Sequence, residues 1–327
     1  MNSSNNKKIN VLVTGVGAII GYGVIKSIRN SKIDANIIGM DIYSDAVGQH
    51  WCDKFIQAKY AVDEDYIEFL KKVICENSID IVFFGTEQEI YRVTSSKEEL
   101  GMYYSKLVVN NTNILELAED KWSTYTYLME NGLENIAIPS KICGNYEELS
   151  HLFSNRFMLK PRKSYASKGI NIVENQEEFD FYKKKMKDNF MAQKLIGDIE
   201  HEYTVAVFGL GDGRIAASIY LKRKLSQEGA TAKAVSFKDI KLEEIVDHIC
   251  RRLKPIGPTN LQFRLHNGQY FLLEINPRIS SSTSIRSALG YNEAEMSIRY
   301  FVFGEVPEAN VRNGKATRFI DEIVEEI

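Results

Sequence analysis

The sequence has few cysteines and histidines, and no long apolar run. Its four cysteines, among 327 residues, are widely spaced and form no Cys-x-x-Cys pair. This spacing indicates neither a disulfide framework nor a zinc site, and it favours a cytoplasmic location. No run approaches the roughly 20 apolar residues of a membrane span, and the polar start lacks the apolar core of a signal peptide. We therefore expect a soluble protein with no membrane partner.

A strong charge of either sign is also absent. The net charge is -3 and the pI is near 6.1, so there is no basic field that would favour nucleic acid as a partner. A hydrophobic content of 44% and a charged content of 26% are typical of an ordinary globular protein. Because 327 residues exceed the usual size of one hydrophobic core, two or three lobes are expected.

The first part of the chain alternates between strand and helix patterns. The predicted order is a strand over 9–14, a glycine-punctuated turn, a helix over 22–29, a strand over 37–41, a helix over 65–76 and a strand over 79–84. Such alternation predicts a parallel sheet with right-handed crossovers. We expect an N-terminal α/β domain over residues 1–110.

Strand patterns dominate the remainder of the chain. They cover 157–160, 170–173, 191–195, 203–208 and 215–221, and helical patterns cover 113–131, 176–186 and 243–253. That order predicts an α+β domain over residues 111–327 with mostly antiparallel sheets. The expected fold class is therefore α/β plus α+β.

The most informative stretch pairs Asn260-Leu-Gln-Phe-Arg264 with Phe271-Leu-Leu-Glu-Ile-Asn-Pro-Arg278 across an Asn-Gly turn. Gln262, Glu274 and Asn276 would supply oxygen ligands of the kind that Mg²⁺ prefers. With a two-residue loop and regular pairing, Gln262 and Glu274 would lie on opposite faces and could share no metal. A shared site therefore requires an odd loop or a β-bulge. An exposed hairpin with polar residues in water remains the alternative.

A second group of residues is suited to phosphate. Lys160 ends an apolar strand just before Pro161, and a small-residue loop follows over 164–169. Such a loop can present backbone N–H groups and Lys168 to a phosphate. The alternative is that Lys160 is a solvated edge residue, since lysine is seldom buried unpaired.

These motifs, in this order, resemble the ATP-grasp superfamily, and most closely its carbamoyl-phosphate-synthase-like branch. The resemblance implies an ATP-grasp domain behind a Rossmann-like N-terminal domain, with a nucleotide lid at about 120–195 and a metal-binding subdomain at about 196–327. It implies these roles: Gln262, Glu274 and Asn276 bind metal; Arg278 contacts the transferred phosphoryl group; Lys121 and Lys160 hold phosphates; Ser167, Lys168 and Gly169 form the phosphate loop; Gln193, Lys194, Leu195 and Ile196 form the adenine hinge; and Glu202 binds ribose.

By the same resemblance, the protein is a ligase that activates a carboxylate as an acyl phosphate and joins it to an amine, releasing ADP and phosphate. The implied cofactors are ATP and Mg²⁺, with Mn²⁺ as an alternative, and the partners are small carboxylate and amine substrates. A homodimer is a common outcome in the family, and its members often serve surface-polysaccharide or specialised-metabolite pathways. Arg286 is a candidate catalytic residue, and Arg223 and Lys224 are candidates for binding the substrate carboxylate.

The glycine-rich turn at residues 15–21 leaves two other functions open. A strand leads into this turn, and Asp41 lies at the end of the next strand, as in NAD(P)-dependent oxidoreductases. The spacing is G-x-G-x-x-x-G instead of G-x-G-x-x-G, which weakens that interpretation. A non-catalytic ATP-binding module is the other alternative.

Overall fold

The computed structural model describes residues 8–163, 169–187, 189–227 and 229–324. Its N-terminal part is a four-stranded parallel sheet with strand order β3-β2-β1-β4. The strands are β1 Ile9–Thr14, β2 Ala35–Asp41, β3 Lys54–Gln57 and β4 Ile81–Phe83. The order reverses between β1 and β4, so the carboxyl ends of these two strands border the crevice in which such sheets bind ligands.

The turn after β1 depends on glycine because the backbone approaches itself closely there. Gly15 has a φ of 58°, in the left-handed region. A Cβ on Gly21 would lie 2.2 Å from the Gly15 carbonyl oxygen, which no side chain could tolerate. The helix α1, Ile19–Arg29, can therefore begin directly above the strand end.

A small antiparallel sheet follows with strand order β5-β8-β6-β7. Its strands are β5 Ser140–Lys141, β6 Phe157–Lys160, β7 Asn171–Val173 and β8 Met191–Lys194. Its apolar core consists mainly of phenylalanine rings, with Phe157 packed edge-on against Phe153 and Phe179. This sheet presents the end of β6, where Lys160 lies, to the rest of the molecule.

The third sheet has six antiparallel strands in the order β13-β12-β9-β10-β11-β14. Its strands are β9 Glu202–Leu210, β10 Ile215–Leu225, β11 Thr231–Ser236, β12 Ile256–His266, β13 Gln269–Asn276 and β14 Lys315–Thr317. Seven residues, 195–201, connect it to the small sheet. The predicted α/β plus α+β fold class is confirmed.

The α-helices cover both faces of these sheets. Their bounds after α1 are α2 Tyr66–Glu76, α3 Glu87–Ser95, α4 Lys97–Leu100, α5 Thr112–Glu119, α6 Lys121–Glu130, α7 Tyr146–Phe153, α8 Gln176–Met186, α9 Ile240–Leu253, α10 Thr283–Ala288 and α11 Glu293–Phe301. Single 3₁₀ turns cover Val47–Trp51, Gly101–Lys106, Glu134–Ile136 and Ile199–His201. None of the described helices has the length and apolarity needed to cross a lipid bilayer.

The helix predicted over 113–131 is interrupted at one residue. Asp120 is extended, with φ −111° and ψ 113°, and its side chain accepts a hydrogen bond from Trp122 N. Asp120 therefore caps a new helix, as its short acceptor side chain favours, and Lys121 becomes the first residue of α6. Apolar residues of α5 and α6 pack against the six-stranded sheet. The domain and subdomain bounds inferred from the sequence remain predictions.

Candidate active site

The hairpin of β12 and β13 contains the irregularity that a shared metal site requires. Its loop is the two-residue turn Asn267-Gly268, with φ 50° and 76°. This number is even, so the first of the two conditions, an odd loop, is excluded. The pairing runs regularly from His266 opposite Gln269 to Phe263 opposite Leu272, and then shifts by one residue, so that Gln262 faces Glu274. The extra residue of this β-bulge is Leu273.

The bulge changes the face to which the later residues of β13 belong. Before it, Tyr270 and Leu272 lie in the apolar core beneath α5, α6 and α9, and after it Ile275 lies there. Without the shift, Glu274 would share the face of Tyr270 and Leu272 and would enter that core. With the shift, Glu274 and Asn276 share the opposite face with Gln262. The sequence predicted this as one of two possibilities.

The oxygen donors on this face are chemically suited to Mg²⁺, but only one of them, the Glu274 carboxylate, is charged. Gln262 Oε1 accepts a hydrogen bond of 2.6 Å from Arg223, and Asn276 Oδ1 accepts one of 3.2 Å from Arg278. Over the described ranges, no group of three or more His, Cys, Asp and Glu side chains could hold a metal. One carboxylate and two amide oxygens fit a cation that keeps most of its ligands from water and nucleotide phosphate. Their metal-binding role remains a prediction.

Two lysines converge on Glu274 from different elements. Lys121 begins α6 and Lys160 ends β6, and both interact electrostatically with Glu274. Lys160 is buried and donates a 2.8 Å hydrogen bond to Gln193 Oε1. Burial, and then the nearby charge of Lys121, lower the pKa of Lys160 to about 8. The two cations therefore form a pair that an anion would stabilise.

The space between these groups is narrow. The crevice lined by Lys121, Lys160, Gln193 and Glu274 has a volume of about 20 Å³, which is close to the space one water needs. In this structure the small sheet and β13 therefore approach each other closely at these side chains.

The predicted adenine hinge lies at the connection between two sheets. Lys194 donates its backbone N–H to Pro139 O at 3.0 Å, and Ile196 is buried. The Gln193 side chain, by contrast, binds Lys160 and Ser140 and does not face solvent. The Gln193 side chain thus holds Lys160 in place in this structure. The adenine contacts of Gln193, Lys194, Leu195 and Ile196 remain predictions.

Glu202, the predicted ribose ligand, lies between two arginines. It is directly opposite Arg264 on β12 and Arg223 on β10. Arg223 donates to its Oε1 at 2.6 and 3.1 Å, and Arg264 to its Oε2 at 2.9 Å. The carboxylate is only 4% exposed, although each oxygen can accept a further hydroxyl. Arg223 is therefore already bonded to Glu202 and Gln262, and its binding of a substrate carboxylate remains a prediction.

Arg278 joins the two halves of the molecule. Its Nε donates to Glu87 Oε1 at 3.0 Å, and its Nη2 also contacts that oxygen. Glu87 begins α3, directly after the carboxyl end of β4, and the next turn of α3 brings Tyr91 within electrostatic range of Arg278 and Glu274. The crevice of the parallel sheet thus opens onto the predicted metal site.

Arg286, which was predicted to be catalytic, is enclosed by protein groups in this structure. Its side chain is fully buried, at 0% exposure, in an ion pair of 2.6 Å with Glu293. It also donates to Thr204 Oγ1 at 3.0 Å and to Asn260 Oδ1. These contacts give Arg286 a structural role, and its catalytic role remains a prediction. Lys224 is exposed and paired with Glu200.

The remaining candidate residues lie at the loop after β6. Gly169 is exposed, with φ 77°, and a Cβ there would approach Pro161 Cγ to 2.9 Å. Ser167 and Lys168 lie outside the described residues. The phosphate-loop role of all three therefore remains a prediction.

Asp41, the residue on which an NAD(P) site would depend, is already bonded. Its Oδ2 accepts from Gly17 N at 2.8 Å and its Oδ1 from Tyr43 N at 3.0 Å. The carboxylate is buried and fixes the glycine-rich turn to the end of β2. In this arrangement Asp41 serves the turn and does not present its oxygens to a ribose.

The sequence analysis gave no role to three residues near this site. Arg264 shares Glu202, Tyr91 lies near Glu274, and Arg318 donates to Ser281 O at 2.8 Å. Tyr91 and Arg318 belong to no recognisable motif, and Arg264 lies in the β12 motif without an assigned role. Arg264 alone carried a signal, because strand pairing opposite an acidic residue predicts an ion pair.

Comparison with known proteins shows similarity to an ATP-grasp family and to carbamoyl phosphate synthases. Residues 187–321 match the family model described as "ATP-grasp in the biosynthetic pathway with Ter operon". The carbamoyl phosphate synthase large chain of Sulfolobus acidocaldarius is 22% identical over 318 residues, which is 91% of this chain and 30% of that protein. That of Thermotoga maritima is 24% identical over 271 residues, or 74% of this chain and 24% of that protein. The chain thus spans less than a third of the length of these relatives.

Solved structures share the fold along most of the chain. N5-carboxyaminoimidazole synthetase from Staphylococcus aureus, complexed with ADP, aligns with a TM-score of 0.72 at 18% identity and covers 94% of this chain and 81% of its own. Biotin carboxylase from Campylobacter jejuni aligns with a TM-score of 0.74 at 15% identity and covers 96% and 75%. The chain therefore shares the fold of these structures, and its residues 187–321 are similar to an ATP-grasp family.

Proposed function

We propose that this protein is an ATP-dependent ligase that activates a carboxylate as an acyl phosphate and joins it to an amine. The observation that carries the proposal is the bulge that turns Glu274 towards Gln262 and within electrostatic range of Lys121 and Lys160. Carboxylate, amide oxygens and two ammonium groups form a site for a nucleotide triphosphate with its cation. A biosynthetic role agrees with the description of the matched family. A place in surface-polysaccharide or specialised metabolism is part of the proposal.

In the first step, a substrate carboxylate oxygen attacks the γ-phosphorus of ATP, the bond to the β,γ-bridging oxygen breaks, and ADP leaves. In the second step, the amine nitrogen attacks the acyl carbon, loses a proton, and expels inorganic phosphate. Both steps need positioning and charge stabilisation and no protein nucleophile. Lys121 and Lys160 would hold the phosphates, and Arg278 would stabilise the phosphoryl group in transfer.

Bound Mg²⁺ would neutralise phosphate charge as the γ-phosphoryl group moves. Gln262, Glu274 and Asn276 would hold it. Arg278 would release Glu87 and bind the phosphoryl group in transfer. The Glu87 carboxylate and the phosphoryl oxygens compete for the same guanidinium N–H groups.

The direct test uses a carboxylate whose oxygens are labelled with ¹⁸O. Purified protein is incubated with MgATP and a panel of small carboxylates and amines, and ADP and phosphate are measured. In a ligase that forms an acyl phosphate, one ¹⁸O passes into the released phosphate, and ADP release requires one acid and one amine. ADP release without labelled phosphate for any pair would contradict the mechanism, because simple ATP hydrolysis takes oxygen from water.

Nucleotide-binding measurements, together with this assay, separate the ligase from the two alternative functions. A dehydrogenase would bind NAD(P), and Asp41→Ala would weaken that binding; in the ligase, Asp41→Ala would disturb only the glycine-rich turn. A non-catalytic module would bind MgATP and release no ADP with any pair. Reduction of NAD(P) by the wild-type protein would overturn the proposal.

The buried Lys160 predicts a pH dependence of nucleotide capture. Its pKa of about 8 means that the free protein loses this positive charge as the pH rises through 8. The kcat/KM for MgATP, which reports groups of the free enzyme, should therefore fall above pH 8. Lys160→Arg keeps its charge at these pH values and should remove the alkaline decline. An unchanged decline in the arginine variant would assign it to another group.

A further inference from the structure

The acceptor site needs a cation that the carboxylates of the protein have not already neutralised. Arg223 and Arg264 share Glu202, and Arg286 is paired with Glu293. Arg278 is paired with Glu87. Arg318 is different, because no acidic side chain in the described part of the chain forms an ion pair with it. It is the remaining guanidinium close to the loop that follows Arg278.

Arg318 is held in place by backbone groups alone. It directly follows β14, and its backbone N–H donates to Ala232 O at 2.8 Å. Its Nη2 donates to Ser281 O at 2.8 Å. Its Nη1 is buried and has no hydrogen-bond partner, and neither has Ser280 Oγ, in a residue that is 6% exposed. Two polar groups on neighbouring segments are thus left unsatisfied.

The helix α1 forms the third wall of this site. Tyr22, near the start of α1, lies within electrostatic range of Arg318. α1 packs tightly on α10, since a Cβ on Gly23 would lie 2.8 Å from Thr283 Cγ2. The site therefore lies where the start of α1, the loop after Arg278 and the C-terminal segment meet.

A buried guanidinium nitrogen without an acceptor is costly, and an anion would remove the cost. Burial lowers the pKa of Arg318, which agrees with a charge that lacks compensation. Carboxylate suits such a group, because the planar fork can donate to both of its oxygens. Ser280 Oγ can donate to the same anion.

We propose that Arg318, together with Ser280, binds a second carboxylate group of the substrates. This group is distinct from the carboxylate that ATP activates. This inference rests on the proposed ligase function and narrows its substrates. The bound group is either the second carboxylate of a dicarboxylic acid or the carboxylate of an amino acid that serves as the amine. Both sources present the same chemistry to Arg318.

The first test measures binding without turnover. Protein labelled with ¹⁵N-arginine is titrated separately with succinate, butanoate and glycine, and the side-chain Nε–Hε resonance of Arg318 is assigned by its loss in Arg318→Gln. Succinate or glycine should shift that resonance saturably. The resonance of Arg312, an exposed arginine of the same segment, should not move. No shift with any probe, or equal shifts at both arginines, would overturn the proposal.

The second test uses steady-state ADP release with two kinds of substrate pair. Dicarboxylic acids are paired with simple amines, and monocarboxylic acids with amino acids. Arg318→Gln should raise the KM of the substrate that carries the extra carboxylate by about 10- to 100-fold, as loss of a charged hydrogen bond does, with kcat unchanged. Arg318→Lys should recover part of the loss, and Arg312→Gln should match the wild type. The kind of substrate whose KM rises identifies the source of the bound carboxylate, either a dicarboxylic acid or an amino acid.

The two proposals fail in different ways. If labelled phosphate never forms but succinate or glycine shifts the Arg318 resonance, the ligase function fails and the carboxylate site stands. If turnover occurs and Arg318→Gln leaves the KM of every substrate unchanged, the ligase stands and the carboxylate site is wrong.

Discussion

Glu274→Ala should reduce ADP release by roughly 10³-fold or more, the scale of losing one charge-stabilising group in a transition state. The physical reason is that Glu274 is the single carboxylate of the predicted metal set, opposite Gln262 across the bulge. Without it, the two amide oxygens provide no negative charge to hold Mg²⁺. The measurement is kcat/KM for MgATP with the acid and amine found in the labelled-oxygen assay.

Matched variants separate charge from shape. Glu274→Gln keeps the size and should lose nearly as much activity as alanine, while Glu274→Asp should retain part of it. Glu308, which is exposed, provides a control, and Glu308→Ala should behave as the wild type. Unchanged turnover in Glu274→Ala, with normal circular dichroism, would show that the metal assignment is wrong.

Arg286→Met should lower the free energy of unfolding by about 3–5 kcal/mol, as expected when one partner of a buried ion pair is removed. The substitution leaves Glu293 fully buried without its cation, and it deprives Thr204 and Asn260 of their donor. Burial already raises the pKa of Glu293, with Arg286 opposing the rise. The measurement is urea unfolding of the protein, monitored by circular dichroism.

A double variant tests the explanation. Arg286→Met with Glu293→Leu removes both charges and should recover much of the lost stability, because a buried ion pair can often be replaced by apolar residues. Variants that fold should also keep their pH profile of kcat/KM. If Arg286→Met were as stable as the wild type and lost only turnover, Arg286 would be catalytic, as first predicted from the sequence.

The hairpin of the candidate site shows what the local sequence pattern could predict and what it could not. The alternation of residues around Asn267-Gly268 predicted the hairpin and stated the condition for a shared site, namely an odd loop or a bulge. It did not decide between them, because both give the same parity. The bulge at Leu273 follows from packing: Leu272 and Ile275 must both enter the core beneath the helices, and a regular strand cannot place both there.

Arginine is where the sequence-based predictions were weakest. Arg278 follows a motif and lies beside the predicted metal residues, whereas Arg286 has similar neighbours in sequence and is enclosed in the core. Arg318 belongs to no motif and lies 40 residues beyond Arg278, yet it contacts the same loop. A guanidinium can bind substrate or bind a buried carboxylate equally well, and sequence spacing does not distinguish the two.

The sequence by itself determined the class of fold, the order of the motifs and the resemblance to the ATP-grasp superfamily, because these depend on periodicity, turn residues and local spacing. The tertiary structure alone decided which charges are satisfied inside the protein. It placed Glu202 between two arginines on neighbouring strands, joined Glu87 to Arg278 across the molecule and left Arg318 without an acidic partner among the residues that the structure describes. Such partners come from segments far apart in the chain, and electrostatic energy depends on their distance and burial, which no local pattern contains.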